Sequence, residues 1–566
     1  MMVITLSLGD NQMPKLLETT IGEMLESRAR EYPDTDALVA LAHGVRYTYK
    51  ELNALCDVIA RGFMGMGIKK GDHVAIWATN YPQWVITQFA SARMGAVLVT
   101  VNTNYKQFEL EYLMRQSDST TLILIDAFKD SNYVKHLRAL CPELDTCKPG
   151  ELESKALPCL KNVIYLDEGE QPGMFHWDDL YKFAERVSEE ELAARKAELQ
   201  IHDVINMMYT SGTTGFPKGV MLTHYNLSNN GDTIGAGMNF SNKDRLCIPV
   251  PLFHCFGCVL GTMACLAKGT TMVLVDYFNP TVVMETVQAE RCTAVHGVPT
   301  MFIAMMEHPD FKKYDFSTLR TGIMAGSPCP IEFMKRASTD MNMNEIVIVY
   351  GQTESSPGIT MTTTDDPIEI RVSTVGRKMP NLEAKIIDIE TGEDAPADTV
   401  GEIVARGYNI MKGYYNMPEA TAQAIDADGW LHTGDLGTMD AQGYFKITGR
   451  LKDMIIRGGE NIYPREIEEF MYTHPKIRDV QVIGVPDKRY GEEVLACVIL
   501  KEGEEATEEE MIEFVKNGLS RFKSPRYIRF VSEFPMTASG KIQKYKMREW
   551  AIDTLGLRDA ASIETA

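Results

Sequence analysis

Short apolar strands and amphipathic helices alternate along most of this chain, and that alternation restricts the fold more than any other property. A strand-turn unit at residues 37–49 leads to a helix at 50–66, a buried strand at 74–78, a helix at 83–94 and a strand at 96–101. A helix at 108–116 and a strand at 121–125 repeat the cycle, and 163–166 and 204–208 read as further strands. After a break it resumes with a helix at 280–290, a strand at 294–298, a helix at 300–307, and strands at 319–325 and 346–350. Strands separated by crossover helices pair in parallel, so the reading is an α/β fold with a large N-terminal domain of parallel-rich βαβ sheets. Thr20-x-x-Glu23 marks the first helix start as a capping box, and Thr507-x-x-Glu510 marks a late one, with Met511, Phe514, Val515 and Leu519 on one face. From residue 374 short strands and turns replace the alternation, which predicts a small β-rich subdomain, and a small α+β unit follows at 454–566.

Three polar clusters follow predicted strands, where ligands gather in parallel sheets. The densest is Thr210-Ser211-Gly212-Thr213-Thr214-Gly215-Phe216-Pro217-Lys218-Gly219. Its glycines let backbone N–H groups turn toward an anion, its hydroxyls add donors, and Lys218 adds a mobile charge. The spacing is not that of the common nucleotide loop G-x-x-x-x-G-K-[ST]. The alternative is a polar surface turn, but so many donors with a lysine in ten residues favour phosphate. The others are Gly326-Ser327-Pro328 and Tyr350-Gly351-Gln352-Thr353-Glu354. His254, between Phe253 and Phe256, reads by itself as a core histidine.

A net charge of −21 argues against a nucleic-acid surface, so a phosphorylated ligand must be gripped locally. Eleven cysteines, with one C-x-x-C pair (Cys255 and Cys258) and no second, read as reduced thiols and make zinc unlikely. No apolar run reaches the ~18–20 residues of a membrane span, and the first residues have neither secretory nor mitochondrial leader character, so the expectation is a cytoplasmic protein. Nothing in the sequence decides between monomer and homodimer.

The glycine loop, Tyr350–Glu354, Thr433-Gly434-Asp435, Gly449-Arg450-Leu451-Lys452-Asp453 and Ser539-Gly540-Lys541 occur in the order found in the adenylate-forming superfamily. The resemblance covers residues 37–548. Gly326-Ser327-Pro328-Cys329-Pro330 and the segment from Ile455 through Gly458 and Gly459 to Pro464 resemble the acyl-CoA synthetase branch, among its medium-chain fatty-acid members. The resemblance implies two half-reactions: a carboxylic acid and ATP give an acyl-adenylate and pyrophosphate, and the thiol of coenzyme A then displaces AMP.

It also implies roles. Thr210, Ser211, Thr213, Thr214 and Lys218, with Gly212 and Gly215, would hold the β- and γ-phosphates. Thr353 would contact the α-phosphate and Glu354 would hold Mg2+. Tyr350, Gly351 and Gln352 with Gly326, Ser327 and Pro328 would flank the adenine, and Asp435 and Arg450 would meet the ribose. His254 would sit beside the acyl carboxylate. Lys541 would swing onto the α-phosphate. Lys452 would lie in a hinge, 450–453, between a domain at 1–449 and a mobile one at 454–566, and Gly458-Gly459 would admit the pantetheine arm. Residues 247–275 hold no acidic side chain to pair a substrate ammonium, so an apolar acid is expected there, with Met263, Met301, Met305 and Met324 as a possible lining. An aryl or other apolar carboxylate–CoA ligase, or transfer to a separate carrier protein, remains open.

Overall fold

The structure, a computed structural model, describes residues 14–210, 217–326, 331–457, 460–519, 521–537 and 542–561. The chain divides into two compact units, Met1–Ala384 with Ala405–Leu431, and Lys385–Val404 with His432–Ala566. The α/β expectation holds.

The first unit contains an eight-stranded and a seven-stranded sheet. In the larger, Val204–Thr210, Val97–Thr100, His73–Trp77, Thr121–Leu124 and Asn162–Tyr165 run parallel. Their near-continuous apolar sequences match burial on both faces. In the smaller, Arg245–Ile248, Thr271–Leu274, Ala294–Val295, Thr321–Ile323 and Glu345–Val347 are parallel, joined by Asp36–Ala40.

Pro82–Met94 lies between the sheets, contacting 97–100 and 204–210 of one and 36–40 of the other. Burying a polar group there is costly unless it is paired. Its fully buried Arg93 bonds Asp57 Oδ1 at 2.7 Å and Asn53 Oδ1 at 2.6 Å, with its Nε left over.

The run 346–350, expected as one strand, is two. Glu345–Val347 ends the seven-stranded sheet, and Val349–Gly351 pairs antiparallel with Gly358–Met361 in a separate three-stranded sheet. Ile348 is the crossing point: its N–H donates to Thr362 Oγ1 (2.9 Å) and its carbonyl accepts from Thr362 N–H (3.0 Å). Periodicity cannot reveal this, because the apolar run is unbroken through the change of sheet.

In the second unit, Ile477–Asp487 and Gly491–Leu500 form an antiparallel hairpin flanked by Ile455–Arg457 and Tyr527–Phe530. Ile467 and Met471 of the helix Pro464–Met471 and Met511 and Val515 of Glu508–Gly518 pack on it. Phe514 stacks on Phe470 with centroids 4.8 Å apart. The β-rich stretch supplies Leu382–Ile387, Gly401–Gly407, Leu431–Met439 and Phe445–Arg450.

Candidate active site

The glycine loop joins two antiparallel strands, Val204–Thr210 and Lys218–Thr223, with Thr210 paired to Lys218. Both ends of the loop are therefore fixed by a ladder. Ser211, Gly212, Thr213, Thr214 and Gly215 lie outside the described residues. The loop's base is clamped: Tyr112 donates its hydroxyl to Pro217 O (3.0 Å), and Gln116 donates to Tyr415 O (2.8 Å) and receives the Tyr209 hydroxyl. Lys218 Nζ stands 4.8 Å from the centroid of the Tyr414 ring, within cation–π range.

Glu354 approaches from the three-stranded sheet. Gly351 ends its strand where an added Cβ would lie 1.8 Å from Pro357 O, so no larger residue fits. Gln352 N–H donates to Ser355 Oγ and Ser355 N–H returns to Gln352 O (3.1 and 2.8 Å), closing the single turn Thr353–Ser355. The Glu354 carboxylate accepts the Tyr414 hydroxyl at 2.7 Å, and its carbonyl accepts Met411 N–H at 2.9 Å. Tyr350 pairs with Thr360 beside this turn.

Thr353 is buried and donates its hydroxyl to Cys255 Sγ at 3.7 Å. Cys255 opens the helical stretch through Met263, and Phe256 N–H donates to His254 Nδ1 at 3.2 Å. His254 thus caps this helix, and the bond makes Nδ1 the acceptor nitrogen of the ring. Asn80, buried, fixes the approach to His254. Its amide donates to Val250 O and Val275 O (both 3.0 Å) and Ile248 O (3.3 Å), and its oxygen accepts Leu252 N–H (2.9 Å).

Gly326 adopts φ +90°, and a Cβ there would stand 3.1 Å from Val298 and 4.0 Å from Phe256. Ser327 and Pro328 lie outside the described residues. Lys218, Tyr414, Glu354, Thr353 and the His254–Phe256 turn therefore form one continuous contact path within the first unit.

Behind this path, His296 is fully buried, its Nε2 donating to Leu260 O (3.0 Å) and its Nδ1 accepting Ile323 N–H (3.1 Å). Burial pushes its pKa down to about 4, so the ring is neutral. Of the four methionines, Met263 and Met301 belong to one core cluster and Met305 and Met324 to the other.

In the second unit, Asp435 and Arg450 face each other across the hairpin, with Arg450 Nε 2.9 Å from Asp435 Oδ1. Glu402 shapes the turn before them, accepting Gly434 N–H (2.9 Å) and bonding His432 Nδ1 (2.9 Å). Gly434 sits at φ +67°, a conformation natural to glycine. Lys452 lies in the exposed turn Leu451–Asp453. Arg457 is held by Glu493 through two bonds, 2.6 and 2.9 Å. Gly458, Gly459 and Lys541 lie outside the described residues.

Tyr414, Glu402 and Asn80 were not among the residues that sequence reasoning singled out. The aromatic pair after Gly413 is the only local signal for Tyr414. Among the described residues no group of three or more His, Cys, Asp or Glu could hold a metal ion. The Glu354 carboxylate, oriented through one oxygen, is instead the hard donor suited to Mg2+, which takes one or two carboxylates and completes its shell with phosphate and water. That donor fits.

Residues 25–415 match the family model for the AMP-binding enzyme, and 466–541 match that for the AMP-binding enzyme C-terminal domain. The chain is 53% identical over 545 residues to the protein YngI of Bacillus subtilis (strain 168), covering 96% of this chain and 99% of that protein. It is 44% identical over 536 residues to the human mitochondrial medium-chain acyl-CoA ligase ACSF2, covering 94% and 87%. Among solved structures, ATP-bound MatB from Rhodopseudomonas palustris superposes with a TM-score of 0.81 at 28% identity, over 95% of this chain and 100% of that one. The Mycobacterium tuberculosis fatty acyl CoA synthetase gives 0.72 at 30% identity, over 94% and 99%.

Proposed function

This chain belongs to the AMP-binding enzyme family and is an ATP-dependent acyl-CoA synthetase acting through an acyl-adenylate; on that premise we propose that its acid is a medium-chain fatty acid. Two observations support this choice: residues 247–275 offer an apolar wall without an acidic side chain, and ACSF2 is 44% identical. The observation that carries the site assignment is the contact path from Lys218 through Tyr414, Glu354 and Thr353 to His254.

In the first half-reaction a carboxylate oxygen attacks the α-phosphorus and the bond to the β-phosphate oxygen breaks. Lys218 and the hydroxyls of Thr210, Ser211, Thr213 and Thr214 grip the departing pyrophosphate. Glu354 is the residue that would hold Mg2+, which when bound neutralises phosphate charge. Thr353 touches the α-phosphate, and Lys541 approaches it as charge develops. Tyr350, Gly351 and Gln352 with Gly326, Ser327 and Pro328 enclose the adenine. Asp435 accepts from the ribose hydroxyls, and Arg450 orients Asp435. His254 stands at the acyl carboxylate.

In the second half-reaction the CoA sulfur attacks the acyl carbon and AMP leaves with the oxygen that came from the acid. Gly458 and Gly459 let the pantetheine arm pass, and rotation about Lys452, in the hinge 450–453, exchanges one set of groups for the other. A positioned cation and preorganised donors suffice for both steps, without a covalent enzyme intermediate. A cytoplasmic location belongs to the same reading; the ten described cysteines are all free, as a reducing compartment requires.

The test is pyrophosphate release and thioester yield across short, medium and long fatty acids and benzoate, with and without CoA. Highest kcat/KM on octanoate-length acids with CoA-dependent thioester supports the proposal. Preference for benzoate moves the substrate to aryl acids, and turnover that needs a carrier protein instead of CoA rejects the thiol assignment.

A further inference from the structure

A strap of chain at residues 411–415 ties together the two anchors of this site. Met411 N–H donates to Glu354 O (2.9 Å), Lys412 N–H to Met221 O (3.0 Å) and Tyr415 N–H to Gly219 O (2.8 Å). Gly413–Tyr414 adds a short antiparallel strand beside Lys218–Thr223, pairing Tyr414 with Val220. Tyr414 N–H donates to Thr421 Oγ1 at 2.9 Å, so the backbone at this position is held on both sides. The strap therefore follows the return strand of the phosphate loop and the metal carboxylate at once.

The Tyr414 side chain repeats that connection. Its ring lies under Lys218 Nζ at 4.8 Å, and its hydroxyl donates to Glu354 Oε1 at 2.7 Å. The residue is 8% exposed, and its two partners are half-buried. Burial, and secondarily the Glu354 carboxylate, push the phenol well above its ordinary range. The hydroxyl serves Glu354 as a donor.

We propose that Tyr414 is a positioning residue that couples Lys218 to Glu354, so that the nucleotide phosphates and the divalent cation bind cooperatively. The inference rests on the assignment of Lys218 to phosphate and Glu354 to Mg2+ made above. A carboxylate held through one oxygen presents the other in a fixed direction, so the ion meets an oriented ligand. The ring face meanwhile keeps the ammonium beside that ion's phosphate partners without an acidic side chain that would neutralise it. Outer partners of this kind act on a metal through the ligand they orient, and their loss typically costs roughly 10- to 100-fold in metal affinity.

The experiment measures binding of α,β-methylene-ATP, which cannot release pyrophosphate, by calorimetry with and without Mg2+. The proteins are wild type, Tyr414→Phe and Tyr414→Leu. Wild type should bind more tightly with Mg2+. Tyr414→Phe, which keeps the ring, should keep the magnesium-free affinity and lose at least about tenfold of the magnesium enhancement. Tyr414→Leu should lose affinity in both conditions. A full magnesium enhancement in Tyr414→Phe overturns the proposal, as does an equal loss with and without Mg2+, the mark of a merely structural role. If wild type binds no nucleotide, the assignment of the phosphate site fails before the role of Tyr414 is reached.

Discussion

Replacing Asn80 by alanine tests whether the His254 segment is positioned by the polar stitch beneath it. Asn80 is 2% exposed and makes four side-chain bonds: to the carbonyls of Ile248, Val250 and Val275 and from Leu252 N–H. Ile248 O keeps a second donor, Val275 N–H at 3.3 Å, so the loss falls on the other three. At about 1 kcal/mol for each, the substitution should cost about 3 kcal/mol, with the buried Leu252 N–H contributing most. His254 lies two residues beyond Leu252, so its ring loses a fixed reference. Misplacement of a positioning group by about 1 Å is worth roughly 10²-fold in rate, which sets the upper limit on the expected fall in adenylate formation. Trp77 and Trp84, both fully buried in the first unit, report its unfolding by fluorescence. Urea denaturation and single-turnover pyrophosphate release should be compared with the exposed-site control Asn104→Ala, expected within about 0.5 kcal/mol of wild type. An Asn80→Ala protein that unfolds with the control and forms adenylate at the wild-type rate would show that Asn80 does not position His254.

Lys541→Ala should slow adenylate formation by roughly 10²–10³-fold while sparing thioester formation from synthetic acyl-adenylate; equal loss of both half-reactions removes its assigned role. Gly459→Leu should leave pyrophosphate release intact and abolish CoA ester formation, as read by chromatography of the products. Burial lowers the His296 pKa from 6.5 to about 4, so the unfolded chain takes up this proton first. Its contribution is complete above about pH 6.5 and is lost as pH falls toward 4, amounting to about 2 kcal/mol at pH 5. His296→Gln, which keeps a donor and an acceptor, should flatten the stability profile between pH 7 and 5 by about that amount; an unchanged slope contradicts the neutral assignment.

Much of the fold was legible because the local signals agree with the tertiary arrangement. The capping boxes at Thr20 and Thr507 lie where the helices begin, although only the first shows both reciprocal bonds. The unbroken apolar runs became strands of sheets covered on both faces. The split of 346–350 between two sheets was not legible, because a side-chain pattern records burial and not which strand is the neighbour. The strand Tyr527–Phe530 and the helix Lys544–Thr554 were also missed; the first is short and the second carries charge on most turns. Motif order directed attention to Lys218, Thr353 and Glu354, but Tyr414 acts on Glu354 across 60 positions and Asn80 on Leu252 across 172. Such long-range polar partners leave no periodicity in a single sequence.

In this chemistry the acid attacks the α-phosphorus and CoA then takes the acyl group from the adenylate. Octanoate labelled with ¹⁸O in its carboxylate tests this directly when it is converted with ATP and CoA and the products are weighed by mass spectrometry. One ¹⁸O is expected in the phosphate of AMP and none in pyrophosphate. Label in orthophosphate together with ADP, or unlabelled AMP, would contradict it.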